Sequence, residues 1–561
     1  MEYLTKEHLV SAVASIIFTK GLWGLNSWLK VEDGRANQST HELLEGSSAP
    51  EDVVPAECLP LVSALENAEA DVDEAACADQ MRTILSAVHL SYSTLVDAPE
   101  TLLRCSKGMA GANGALWTRF TVQYNLYAGS VVALGSDAQR AQLIAAQHEG
   151  TLGCFAFTEK GAGVMSGAGM ETTAVYNADS DSFVINSPTE SSSKNWISQG
   201  CYAEEAVILA DLIIDGKSLG GHLFWAPIAA FGSSEKRKLG RPKPLVGVSI
   251  TSLPQKTALC GLDNAEIMFS NFTVPRSALL SRFGGLSGSG KDVVYEARLP
   301  KGVPRMLDLL ISRLLTGRIV LSEATLSHVL SRIRTSWKYC CNRELWRFRN
   351  PKGKMMSDMP LIRGAFRDYS RCTAIVQCFL EDTRERVADA IRNQNFPNNL
   401  IEATCISKFV ATGFSVDCIS VVRKLLGAQA LLVSSTLGTE TFLPYATSAA
   451  EGDNTIMELK VVQDIVRGRI SKVPLGLMAS IVLDSRGRKA SAIYLERFAR
   501  AMILQARAME DGQLLRDIAW ARAHMRIIQV WLVASKDDSS KIDWLESYER
   551  ILMKFPVPMQ V

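Results

Sequence analysis

The chain has 561 residues, 47% of them hydrophobic, enough to bury a large core and to divide into three or four structural units. Sixty basic side chains against 59 acidic ones leave a net charge of +1 without a long block of one sign. That balance argues against a nucleic-acid-binding surface, while leaving room for a local basic groove that takes a nucleotide. The 12 cysteines are scattered, Cys340 and Cys341 are adjacent rather than spaced as a clip, and no His/Cys grouping has zinc spacing. No metal site is expected, and the pattern reads as buried, reduced thiols in an intracellular protein.

Residues 9–24 are apolar except for Lys20 and follow Glu2, Lys6, Glu7 and His8, so they read as an amphipathic helix. Neither a signal peptide nor a membrane span is supported there. A Ser/Gly/Pro/Glu-rich loop is expected over 45–57, with helical spacing in Leu59–Leu65 and Met81–Val88. From about 152 to 285 the chain changes to short β-rich runs. These are Ser182–Asn186, Ala206–Ala210, His222–Ile228 and a closing run Ile267–Val274. Helical periodicity returns near 303 and continues, with breaks, to about 470. It begins with one long helix from Leu307 through Ile319, Leu326, Val329 and Ile333. Residues 490–535 read as helical, and 536–541 as a polar connector before a last helix. The order predicts an α+β fold: an N-terminal helical domain (1–150), a central β-barrel-like domain (151–288), a helical bundle (289–475) and a C-terminal helical region (476–561).

Three places carry chemistry. In the glycine-rich stretch Cys154–Gly163, Thr158 offers a hydroxyl, and Gly161 and Gly163 let backbone N–H groups come close to a ring system. A plain turn between strands is the competing reading. Trp196 is a large planar side chain flanked by Lys194 and Ser198, although many tryptophans are simply core. Glu451, followed by Gly452-Asp453-Asn454-Thr455, is a carboxylate on a flexible turn and a candidate general base. The structural alternative is that Glu451 and Asp453 cap a helix beginning near Thr455. Both hold together if Asp453 or Asn454 caps while Glu451 faces a ligand.

These segments resemble the acyl-CoA oxidase/acyl-CoA dehydrogenase superfamily, most closely the peroxisomal-type oxidases. The matches run in order from Thr158-Glu159 through Thr172-Thr173-Ala174, Phe183–Thr189, Lys194–Ser198 and His222–Ile228. They continue through Gly261–Asn264, Phe269–Asn271, Val274–Arg276 and Gly317-Arg318 to Glu451–Thr455. The resemblance implies the acyl-CoA dehydrogenase-like fold and an FAD cofactor, with Thr158, Gly161, Gly163, Trp196 and Ser198 beside the flavin. It also gives Gly427 and Asn454 to the cofactor site, Arg343 to the FAD pyrophosphate across a homodimer interface, and Glu451 the part of catalytic base.

The implied reaction takes an acyl-CoA to its trans-2-enoyl product in fatty acid β-oxidation. Glu451 removes the α-proton, the β-hydrogen leaves as hydride to the flavin, and O2 reoxidises the flavin to give H2O2. The compartment implied is the peroxisome, although the chain ends Pro558-Met559-Gln560-Val561 rather than in a Ser-Lys-Leu-type signal. The sequence departs from the pattern at Arg343-Glu344-Leu345-Trp346-Arg347, where a Gln and a Gly are replaced, and at Gly427-Ala428 and Ala430-Leu431, where glycines give way to larger residues. Two alternatives follow. One is a dehydrogenase that passes electrons to a flavoprotein partner; the other is a degenerate relative kept as a structural or interaction subunit.

Overall fold

The computed structural model describes residues 73–470 apart from short stretches (89, 110–112, 164–168, 233–239, 301–305, 348–349, 394, 433–434 and 436), together with scattered positions between 515 and 551. The expectations for 9–24, 45–57, 59–65, 490–514 and 536–541 lie outside the described residues, as does the loop just after Gly163.

Helices come first: α1 (Glu74–Ser86), α2 (Pro99–Met109), α3 (Gly114–Thr121), a π-helical stretch (Val122–Ala128), α4 (Gly129–Leu134) and α5 (Asp137–Ala146). Three of these starts have a local cause. The Asp73 carboxylate accepts from the Ala75 N–H, the Asn113 side chain from Leu116, and Ser136 and Gln139 form a reciprocal capping box.

Strands then build two main sheets, alongside small two-stranded ones. The larger contains β1 (Gly153–Ala156), β2 (Thr173–Asn177), β3 (Ser182–Asn186), β5 (Glu205–Ile214), β6 (Lys217–Pro227) and β9 (Phe272–Pro275). β1 and β2 both run parallel to β5, at its first and second halves, while β6 pairs antiparallel with β5. The smaller sheet orders β4 (Lys194–Ser198), β8 (Asn264–Phe269) and β7 (Val248–Ser252). The run 267–274, expected as one strand, is therefore two strands in different sheets. Asn271 sits between them at φ 50°, a left-handed turn that asparagine tolerates, and its N–H reaches the Asn186 side chain at 2.7 Å.

The long helix expected from Leu307 is α6, Met306–Asn342. A two-stranded hairpin, Glu344–Arg347 with Asn350–Met355, interrupts the helical half where helix was expected to continue. After it come α7 (Pro360–Asn393), α8 (Asn398–Leu426), α9 (Leu443–Ala449) and α10 (Asn454–Val466). α6 packs on both α7 and α8, and α8 in turn packs on α9 and α10. The α+β expectation, helices then sheet then helices, holds for the described residues. Among those residues, the stretch 398–431 is long and apolar enough to cross a membrane. Its most apolar window is 72% buried by neighbouring segments, as in a core helix.

The first helices are tied to the sheets by buried polar contacts. Arg119 on α3 pairs with Asp263 at 2.8 Å, with both side chains fully buried, and Asp263 also accepts the Cys201 N–H. The Gln123 side chain accepts from the Gly153 N–H and from Gln199. Cys105 is disulfide-bonded, which corrects the expectation of reduced thiols throughout; the other described cysteines are not in disulfides.

Candidate active site

Two segments bring the sequence candidates into place, and each is held by a buried lysine. In the first, the loop after β1 lies along β4. The Asn195 N–H donates to the Thr158 carbonyl at 2.9 Å, Lys160 N–H to Ser193 at 2.9 Å and Gly161 N–H to Ser191 at 2.8 Å. Behind this loop the fully buried Lys194 ammonium donates to Glu159 at 2.8 Å, and Glu159 also accepts the N–H groups of Glu171 (2.7 Å) and Thr172 (3.0 Å). Burial pushes Lys194 down to about 8 against the opposing pull of Glu159. Burial works to raise Glu159, but Lys194 and the N–H donors hold it below the usual carboxylate range.

Two residues beyond Lys194, Trp196 has φ 58° and is 62% exposed. A bulky residue in the left-handed region costs roughly 1–2 kcal/mol, and its ring gains little burial in return. Ser198 accepts from Asn264 Nδ2 at 3.0 Å, which leaves its own hydroxyl proton to point elsewhere. A Cβ on Gly163, which has φ 50°, would meet nothing within 4 Å. An exposed indole, a nearby hydroxyl and open space beside a glycine fit a planar cofactor. Gly161 differs: a Cβ there would come within 2.8 Å of Ser191, so its small size serves the protein's own packing.

The second segment is the turn between α9 and α10. Glu451 has φ 55°, again left-handed for a non-glycine residue, and Gly452 follows at φ 101°. The Glu451 carboxylate lies against α6 at Gly317. A Cβ on Gly317 would stand 1.6 Å from Oε2 and 2.4 Å from Oε1, so no other residue fits under this carboxylate. Oε2 is sealed from solvent, as a base for a weakly acidic C–H requires. Asp453 caps α10, accepting the Thr455 N–H at 2.8 Å, so the capping and base assignments fall on different side chains.

Beneath this turn lies Lys408 of α8, fully buried. Its ammonium donates to the carbonyls of Ser448 (2.5 Å) and Gly452 (2.6 Å) and to Asn454 Oδ1 (3.0 Å). The Asn454 amide also donates to Thr412 at 2.9 Å. Asn454 is thus turned inward to brace the turn. Gly427 ends α8 at φ 64°, with open space where a Cβ would be, roughly 28 Å along the helix from Lys408. Arg343 follows the last residue of α6, roughly 39 Å along that helix from Gly317, and is exposed. Neither is gathered around Glu451 within one chain.

No family model matches the chain. It is 25% identical over 396 residues, 67% of this chain and 54% of the other, to peroxisomal acyl-coenzyme A oxidase 2 of Arabidopsis thaliana. It is 31% identical over 255 residues, 44% of this chain and 33% of the other, to acyl-coenzyme A oxidase 2 of Yarrowia lipolytica. The likeness is to the acyl-CoA oxidases. Among solved structures, acyl-CoA oxidase 1 of Y. lipolytica superposes with a TM-score of 0.66 over 91% of this chain and 80% of its own, at 19% identity. That agreement establishes an acyl-CoA oxidase-like fold. The chain spans about half or less of the length of these curated relatives.

Two features of this oxidase-like site escaped the sequence reading: the Lys194–Glu159 pair and Lys408. Both had a signal. Lys408 stands inside Cys405-Ile-Ser-Lys-Phe-Val-Ala411, where a helix with apolar residues on every side must bury it, and lysine is almost never fully buried without partners. The partners themselves were invisible, because Glu159 lies 35 residues from Lys194 and Gly452 lies 44 residues from Lys408.

Proposed function

We propose that this chain is an FAD-dependent acyl-CoA oxidase that converts an acyl-CoA to the trans-2-enoyl-CoA in β-oxidation, with O2 as electron acceptor and H2O2 as product. The observation that carries this reading is the Glu451 carboxylate, held on a left-handed turn and fitted over Gly317 with one oxygen sealed from solvent. Removing a proton next to a thioester carbonyl needs a fixed, partly desolvated carboxylate, and this site supplies one. Flavin, when bound, supplies the acceptor for the β-hydride.

The residues that would hold it are Thr158, Trp196 and Ser198 at the ring, with Gly163 giving the backbone room to approach. Arg343 and Gly427, remote from Glu451 in one chain, are assigned to the FAD of a second copy in a homodimer, since a buried pyrophosphate needs a compensating cation. Similarity to peroxisomal enzymes supports a peroxisomal site of action.

Purified protein should retain or take up FAD noncovalently, shown by the flavin absorbance bands, and should consume O2 when given an acyl-CoA. Protein that stays colourless with excess FAD overturns the enzyme reading. Turnover with a flavoprotein acceptor but not with O2 would make it a dehydrogenase. Glu451→Gln keeps size but cannot accept the proton, so turnover should fall by on the order of 10²–10⁴-fold with flavin retention unchanged. Asp453→Asn, which touches the cap alone, is the paired control; equal losses in both variants would remove Glu451 as the base.

A further inference from the structure

Resting on the reading of Glu451 as the base, we propose that Lys408 is its positioning residue, whose protonated ammonium clamps the catalytic turn and whose deprotonation releases it. The clamp is geometric. An ammonium has three N–H donors, and here three acceptors take them: the carbonyls of Ser448 and Gly452, which flank Glu451 in the chain, and the Asn454 side chain. A neutral amine has two N–H donors, so losing the proton breaks one of the three bonds. The turn that loosens carries Glu451 at φ 55°, a conformation that persists when its surroundings over-determine it.

Charge and shape are therefore coupled at one atom. The main electrostatic influences on Lys408 are the Asp453 and Glu451 carboxylates on the turn, Arg318 on α6, and Cys405 one turn earlier on α8. Burial is the largest influence and pushes the ammonium down to about 7, with Arg318 adding to the push and the two carboxylates opposing it. The protonated clamp is then lost on the alkaline side of neutrality. Stability and activity should part company there, because the neutral amine is easier to bury while the base loses its brace.

The test is the pH profile of kcat/KM for the FAD-loaded full chain. Wild type should show an alkaline limb near neutrality. Lys408→Arg, which stays charged throughout, should abolish that limb while keeping measurable activity. Lys408→Met should be low and flat across the same range, about 10-fold or more below wild type at pH 6. An alkaline limb at unchanged pH in both variants, or full activity in Lys408→Met, overturns the proposal. A second arm needs no turnover. Glycine adopts φ 55° without help, so the change in Tm caused by Lys408→Met should be more favourable in a Glu451→Gly background than in wild type. Identical changes in both backgrounds overturn the clamp whether or not the protein oxidises acyl-CoA. A differential change in protein that shows no turnover keeps the clamp and rejects the activity instead.

Discussion

The β4 edge and the α9–α10 turn solve one problem with different partners. In each, a fully buried lysine holds a segment that carries a non-glycine residue at positive φ: Trp196 near Lys194, and Glu451 above Lys408. Lys194 hydrogen-bonds a carboxylate, Glu159, so its charge is met by an opposite charge at 2.8 Å. Lys408 hydrogen-bonds carbonyl and amide oxygens, while the carboxylates of Asp453 and Glu451 act on it electrostatically. An ion-paired lysine is a fixed stitch. One held by neutral oxygens sits closer to losing its proton, and it lies under Glu451, the residue proposed to take a proton. The difference suits the proposed roles, a cofactor bed that must stay still and a base that must respond.

Breaking the stitch should give the largest effect on stability. Lys194→Met leaves Glu159 buried without its cation, which should cost roughly 3–5 kcal/mol and be read as a large fall in Tm. The double replacement Lys194→Met with Glu159→Gln should recover part of it, because the uncompensated charge goes while an acceptor for the Glu171 and Thr172 N–H groups stays. A small loss in the single variant would mean that the pair is solvated and does not organise the loop.

Gly317→Ala attacks the other region. Its Cβ would overlap the Glu451 carboxylate, so the base must move by an ångström or more. A misplacement of that size should lower kcat by about 10²-fold, with FAD content unchanged. Unaltered kcat would show that the carboxylate does not work from its place over α6.

A pH titration of stability sharpens the contrast between the lysines. Both lie below the ordinary value of 10.5 in the folded protein, at about 8 for Lys194 and about 7 for Lys408. Between those values and 10.5 the unfolded chain binds more protons, so stability should rise with pH across the window. The part between pH 7 and 8 belongs to Lys408. Tm should therefore climb over that unit in wild type and be flat in Lys408→Met; an equal climb in both would assign it to other groups.

The smallest effect is expected at Trp196. Trp196→Gly relieves the left-handed strain and gives up little burial, so the apo protein should change by no more than about 1 kcal/mol. Flavin retention, measured by absorbance after gel filtration, should nevertheless weaken. Retention equal to wild type would make the exposed indole incidental.

Taken alone, the sequence determined the layers and the place of the proposed base. Periodicities of 2 and 3.6 residues are local properties, so the strand at 182–186 and the helix from 306 could be read directly. The Glu451–Thr455 turn could be read too, because a carboxylate, a glycine and a cap stand side by side. Local pattern failed where a few residues are decided by distant partners. The 267–274 run is split because Asn271 turns against Asn186, and the hairpin at 344–355 interrupts a stretch whose apolar content gives no warning of strands. Tertiary structure alone decided by whom the buried lysines are held. Those partners are 35 to 46 residues away, and the need to satisfy a buried ammonium acts through space rather than along the chain.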